Sequence, residues 1–173
     1  MSKRIAVIDL GSNSARLAIF ERTSRLGFFI LREYKVKVRL GHGAYENDGM
    51  LQDAAIAEVL EALSEFKTYI KLYKVRKIIA GGTSALRDAP NKAVFLTRLK
   101  NELGIAMKVI SGEEEASLGG IAASNLLPPL EDALCVDIGG GSTELARIKD
   151  GKMIATTSLN LGTVRLKELF YDK

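Results

Sequence analysis

Two short stretches combine a carboxylate, glycine and hydroxyl-bearing residues in an order suited to holding phosphate. One is Asp137-Ile138-Gly139-Gly140-Gly141-Ser142-Thr143-Glu144. An apolar run, Ala133 to Val136, precedes it and reads as a buried strand, while Leu145 to Ile148 alternates as a returning strand does. Glycine in such a turn permits positive φ and lets backbone approach a ligand closely. Successive N–H groups of the turn then form a concavity for an anion. Asp137 ends the first strand, where it can hold a metal ion or a water, and Ser142 and Thr143 add hydroxyl donors. The other stretch, Ile5 to Leu17, has the same design: an apolar strand ending at Asp9, then Leu10, Gly11, Ser12, Asn13 and Ser14, then a strand. An internal repeat of this kind implies two related lobes, here expected to face one another across a cleft. In that site the N–H groups of Gly11, Ser12 and Asn13 would cradle one phosphate, and those of Gly139, Gly140, Gly141 and Ser142 the next. Asp9 and Asp137 would serve a divalent cation, most simply Mg²⁺, which takes oxygen ligands and keeps several waters, so that few carboxylates suffice.

Two further groups carry charge suited to this chemistry. Glu113-Glu114-Glu115 opens a helix behind Ser111. Acidic residues there also simply favour the helix dipole, and Ser111 with Glu114 has the spacing of a capping box. Arg87 follows Thr83 and Ser84 at the C-terminal end of an apolar strand, the edge where open α/β sheets bind ligands. It reads either as a surface arginine beside Asp88 or as a two-pronged phosphate contact.

The elements that must position these residues follow from periodicity. Strands are predicted at 4–10, 15–21 and 27–39, with a loop at 41–50 rich in Gly, Asn and Asp. Residues 51–74 repeat apolar positions every three or four residues, from Ile56 to Tyr73, and predict one long amphipathic helix whose Lys67, Lys71 and Lys74 are solvated. A strand at 76–82 follows, and a strand after a long helix implies a crossover to a parallel position. Then come a helix at 92–103 with Val94, Phe95, Leu96, Leu99 and Leu103 inward, a strand at 106–110, and a helix from Ser111 to about Asn125. Pro128-Pro129 punctuates the chain. Strands at 133–136, 145–148 and 153–158 and a last helix after Gly162 complete it.

The pair DLGSNSARL and DIGGGSTEL, with GTSALRDAPN at 82–91 and ISGEEEAS at 110–117 between them, resembles the exopolyphosphatase / guanosine pentaphosphate phosphohydrolase family, within the actin-like, sugar-kinase-like ATPase superfamily. The resemblance runs from residue 4 to about 168. It implies an α/β fold: a ribonuclease H-like lobe with a mixed sheet at 1–127, a linker at 128–131, and the opening strands of a second such lobe at 132–173. Relatives in that family continue beyond this point, and an unfinished second sheet would leave an edge open to self-association. The resemblance further implies that Glu115 is the catalytic base, that Arg87 contacts phosphate, that Glu144 joins Asp9 and Asp137 near the metal, and that Arg165 lies near the site but outside its core. The implied reaction is Mg²⁺-assisted hydrolysis of terminal phosphate from polyphosphate or guanosine pentaphosphate. A sugar-kinase-like ATPase and a phosphate-binding module without catalysis are the alternatives.

Bulk properties exclude other classes. Of 173 residues, 47% are hydrophobic and 27% charged, with a net charge of +4, which suits a globular protein with an anionic ligand. The single cysteine, Cys135, rules out an internal disulfide, and the single histidine, His42, makes a zinc site improbable. No segment approaches the roughly 20 apolar residues of a membrane span. Nucleic acid and membrane partners are not expected, and a cytoplasmic location is.

Overall fold

The computed structural model describes residues 3–25, 27–128 and 131–171. The chain forms two compact units, Met1–Val109 and Ile110–Lys173.

The first unit is built on a five-stranded mixed sheet. Strands β1 (Lys3–Leu10), β2 (Ser14–Arg22) and β3 (Phe28–Lys37) form an antiparallel meander, and β4 (Lys77–Gly82) and β5 (Lys108–Val109) add parallel strands on the other side of β1. The order β3-β2-β1-β4-β5 puts the most apolar strand at the centre, as expected. Helix α1 (Asp53–Leu72) is the crossover between β3 and β4 and covers one face. Its Ile56, Val59, Leu63 and Phe66 meet Ala6, Ile8 and Leu10 of β1 and Leu17 and Ile19 of β2 in a single buried cluster. Each such aliphatic side chain removed from water contributes roughly 1.5–3 kcal/mol. Tyr34 of β3 and Tyr69 of α1 stack with ring centroids 3.9 Å apart, tying the outer strand to the helix. Lys67, Lys71 and Lys74 are exposed, as the periodicity requires.

Three details of this unit differ from the sequence reading. A short helix, α2 (Ser84–Asp88), stands where the sequence reading assigned no element. Helix α3 (Lys92–Arg98) widens into a π-type turn, Leu99–Leu103, before Gly104 ends it at φ 69°. Phe95 and Leu99 are fully buried one helical turn apart, and this leaves Val94, a third of a turn away, pointing to solvent. Strand β5 is only two residues long.

The second unit carries β6 (Asp132–Ile138), β7 (Thr143–Lys149) and β8 (Lys152–Leu159) in one antiparallel sheet, order β6-β7-β8, followed by α5 (Thr163–Phe170). A two-point ion pair from Arg147 to Asp132 pins the start of β6 to β7 and holds the Asp132 carboxyl below the usual carboxylate range. Helix α4 (Gly112–Leu126) packs on this sheet, chiefly against β7 and β8. The compact units therefore divide at residues 109 and 110, before α4, whereas the sequence reading divides the lobes at a 128–131 linker after it. Pro129 and Leu130 of that linker lie outside the described residues. The physical reason is the face of small residues on α4. Gly112, Ala116 and Gly120 are buried and let the helix backbone lie close to the sheet. A Cβ at Gly120 would stand 2.9 Å from that of Ala146. Among the described residues, no helix is long and apolar enough to cross a membrane.

A Cβ at Gly112 would stand 2.4 Å from the Ser158 Cβ, next to the backbone of β8, where little can yield. Gly112→Val is expected to lift the start of α4 from the sheet at a cost of about 1–3 kcal/mol. Urea or thermal unfolding measures this, and an unchanged midpoint would mean that α4 does not rest there.

Candidate functional site

The two turns expected to hold phosphate have matching frames. Leu10 pairs with Ala15 across the first, and Ile138 with Thr143 across the second. The Gly11 N–H donates to the Ser14 carbonyl at 3.0 Å, and the Gly139 N–H donates to the Ser142 carbonyl at 2.9 Å. Two parts of the sequence reading change here. The amides of Gly11 and Gly139 close their own turns, so neither is left to cradle an anion as expected. None of Gly11, Gly139, Gly140 and Gly141 has positive φ. Glycine serves these turns through space, not through unusual dihedral angles.

Orientation of the remaining amides follows from their carbonyls. In a planar trans peptide, the C=O of one residue and the N–H of the next point in opposite directions. In the first unit the Ser12 carbonyl accepts from the Gly41 N–H at 2.8 Å, and the Asn13 carbonyl accepts from the N–H groups of Val38 and Arg39 at 3.1 and 3.2 Å. The amides of Asn13 and Ser14 are thereby turned away from the 38–41 segment. The second turn uses the start of α5. The Thr163 N–H donates to the Gly139 carbonyl, the N–H groups of Val164 and Arg165 donate to the Gly140 carbonyl, and Arg165 Nε donates to the Gly141 carbonyl at 2.7 Å. The amides of Gly140, Gly141 and Ser142 are turned to the opposite side together.

The hydroxyls have structural partners. Ser12 is buried, with its Oγ 2.8 Å from Ser84 Oγ and 3.1 Å from the Tyr45 hydroxyl. The Thr83 N–H donates to the Leu10 carbonyl at 3.0 Å. These contacts bring α2, and with it Arg87, to the first turn. Arg87 is held at the end of α2 by its N–H bond to the Thr83 carbonyl. Its side chain is about four-fifths buried, and its Nε lies 3.9 Å from Asp88 Oδ1, a loose pairing. Sequence reasoning missed Tyr45, which sits in an unpatterned loop.

Two acidic residues of the second unit share one face of its sheet. Asp137 and Glu144 are directly opposite on β6 and β7, and Glu144 is opposite Ser158 on β8. Glu144 is 5% exposed and accepts a 2.7 Å bond from Ser158 Oγ. Gly112 of α4 rests on Ser158, and Glu115 follows on the same helix face, half-buried. The Ser111 hydroxyl caps α4 by accepting from the Glu114 N–H at 3.1 Å, as the capping spacing predicts. Like charges placed directly opposite on neighbouring strands destabilise a sheet, so the Asp137–Glu144 pair is where a divalent cation could be held. Among the described residues, no group of three or more His, Cys, Asp or Glu is arranged around a metal position. Two carboxylates suit an ion such as Mg²⁺, which retains waters and binds substrate phosphate. Asp9 differs, because its opposite residue is Arg16. Ser158 and Gly162 gave no sequence signal beyond their place near the ends of predicted elements, and Arg165 was set outside the core.

Comparison with known proteins places this geometry. Residues 4–173 match the model of the Ppx/GppA phosphatase family. Exopolyphosphatase 2 of Mycobacterium tuberculosis is 34% identical over 95% of this chain and 54% of its own length. The guanosine-5'-triphosphate,3'-diphosphate pyrophosphatase of Photobacterium profundum is 33% identical over 99% of this chain and 34% of its own length. An exopolyphosphatase from Cytophaga hutchinsonii superposes with a TM-score of 0.92 at 33% identity, over 98% of this chain and 54% of that one. MreB5 of Spiroplasma citri, at 16% identity and a TM-score of 0.50, shares the actin-like fold alone. The chain thus spans about half the length of the exopolyphosphatases it matches, or less of longer relatives. With both glycine turns, the Glu115 helix and the Arg87 segment falling within the matched residues, the chain belongs to the Ppx/GppA phosphatase family.

Proposed function

We propose that the protein hydrolyses the terminal phosphoanhydride of inorganic polyphosphate, of guanosine pentaphosphate, or of both, assisted by Mg²⁺ or another divalent cation. The observation that carries this reading is the pair of matching turns whose carbonyls are tied back and whose amides are presented together. Relatives named for exopolyphosphatase and guanosine pentaphosphate chemistry support the substrate class. In this reading the amides of Asn13 and of Gly140, Gly141 and Ser142 bind phosphate oxygens, and Arg87 adds a two-pronged contact. Asp137 and Glu144 hold the cation, with Ser158 fixing Glu144; Asp9, opposite Arg16, is the weaker of the three expected ligands. A bound cation supplies charge neutralisation on the phosphate oxygens. Glu115 orients a water and takes its proton as the water oxygen bonds to the terminal phosphorus. The bond from that phosphorus to the bridging oxygen breaks, and its electron pair stays with the shortened polyphosphate. Phosphoryl transfer asks little more of a protein than such positioning and neutralisation.

Phosphate release from polyphosphate with Mg²⁺ should fall by about 10²–10⁴-fold in Glu115→Gln. Release by the parent chain that the variant retains would remove Glu115 as base. No release from either, with polyphosphate still bound, would favour a binding module without catalysis.

Mg²⁺ at about 100 times its dissociation constant should stabilise the chain by roughly 2.7 kcal/mol. Asp137→Asn or Glu144→Gln should abolish that gain in a thermal melt, whereas Asp9→Asn should keep most of it. A gain that survives both of the first two substitutions would sink the cation assignment.

The edge strand β6, with Leu134, Val136 and Ile138 at 60, 50 and 65% exposure, supports self-association. Light scattering across a concentration series should show dimers that Val136→Lys dissociates; a monomer at every concentration would refute this.

A further inference from the structure

The second phosphate turn has a brace that the first lacks, and its origin is one side chain. In the first unit, backbone donors alone tie back the carbonyls of Ser12 and Asn13. In the second, α5 begins directly behind the turn. Gly162, at its N-terminal boundary, lies so close that a Cβ would stand 2.4 Å from the backbone of Gly140 and of Gly141. Only a residue without a side chain lets the N–H groups of Thr163, Val164 and Arg165 reach the carbonyls of Gly139 and Gly140. The Gly141 carbonyl is taken at 2.7 Å by Arg165 Nε, on a partly buried side chain. That bond sets the peptide joining Gly141 to Ser142, and hence the direction of the Ser142 amide. Ser142 is itself 2% exposed, so its backbone is a part of the turn that packing and this bond hold together.

We infer that Gly162 and Arg165 are positioning residues for anion binding at the second turn. They act through the turn's carbonyls, and Arg165 also puts a guanidinium behind the amides that would face a polyanion. The inference rests on the proposed phosphate-binding role of residues 140–142. A guanidinium bond to a carbonyl is charge-assisted and stronger than an amide bond to the same oxygen. A lysine at 165 offers a point charge without the planar fork and restores the charge but not the fixed direction.

The test uses the chain as it is, with tripolyphosphate as probe. Arg165→Met should weaken tripolyphosphate binding in calorimetry by about tenfold or more, the scale of losing a charged hydrogen bond, and Arg165→Lys should recover part of it. In the absence of probe, Arg165→Met should shift the amide resonances of Gly141 and Ser142 in ¹H–¹⁵N spectra and leave those of Gly11 to Ser14 in place. A merely structural role would move resonances throughout α5 and its sheet and lower the melting temperature in proportion to the lost affinity. Arg165→Met that binds as tightly as the parent chain, or leaves the Gly141 and Ser142 resonances unmoved, overturns the inference. A parent chain that binds no tripolyphosphate overturns the functional reading, and the inferred ligand with it, whereas loss confined to Arg165→Met is a result that reading alone does not produce.

Discussion

A trans peptide points its carbonyl and the following amide in opposite directions, and the arrangement of both glycine turns depends on that rigidity. Isolated glycine-rich turns sample many orientations of their peptides. Here the carbonyls of residues 12–13 and 139–141 are each engaged by a neighbouring segment, so the amides on the other side have no freedom to turn away. Donors already aligned do not have to be ordered when a phosphate arrives, and this is how preorganised sites gain affinity over flexible ones. The surrounding elements exist in large part to supply those engagements: the 38–41 loop for the first turn and the opening of α5 for the second.

The two units repeat one design and then diverge in charge. The hairpin register, the length of the turn and the amide-to-carbonyl closure are the same in both. At the equivalent positions beside the turn, however, Asp9 faces Arg16 while Asp137 faces Glu144. The first arrangement balances its charge within its own sheet. The second sets two carboxylates directly opposite one another, which is unfavourable unless a positive group or cation lies near them. Ser158, bonded to Glu144 on the buried side, reduces the freedom of one carboxylate without neutralising it.

Helix α4 links these features. Its small-residue face sets its height over β7 and β8, its capped start places Glu115 on the face that Gly112 presents to Ser158, and Ser158 in turn fixes Glu144. Packing and chemistry are therefore coupled: a bulkier residue on that face would displace the helix that bears the proposed base along with the fold.

Much of this was legible in the sequence because local physics dictates it. Asp9 and Asp137 ending apolar strands, the four-residue turns, the amphipathic α1 and the capping Ser111 are properties of neighbouring residues, and the resemblance built on them gave the family and the actin-like α/β fold. Tertiary structure alone decided what depends on partners distant in the chain. Ser12 bonds Ser84 and Tyr45, the carbonyls of Gly139 and Gly140 meet the start of α5, and Asp9 and Asp137 acquire different neighbours across the sheet, since cross-strand register is not written in either strand alone. The allegiance of α4 was hidden for a similar reason: a stripe of glycine and alanine carries almost no hydrophobic signal, so only close approach to a particular sheet shows which one it was built to meet.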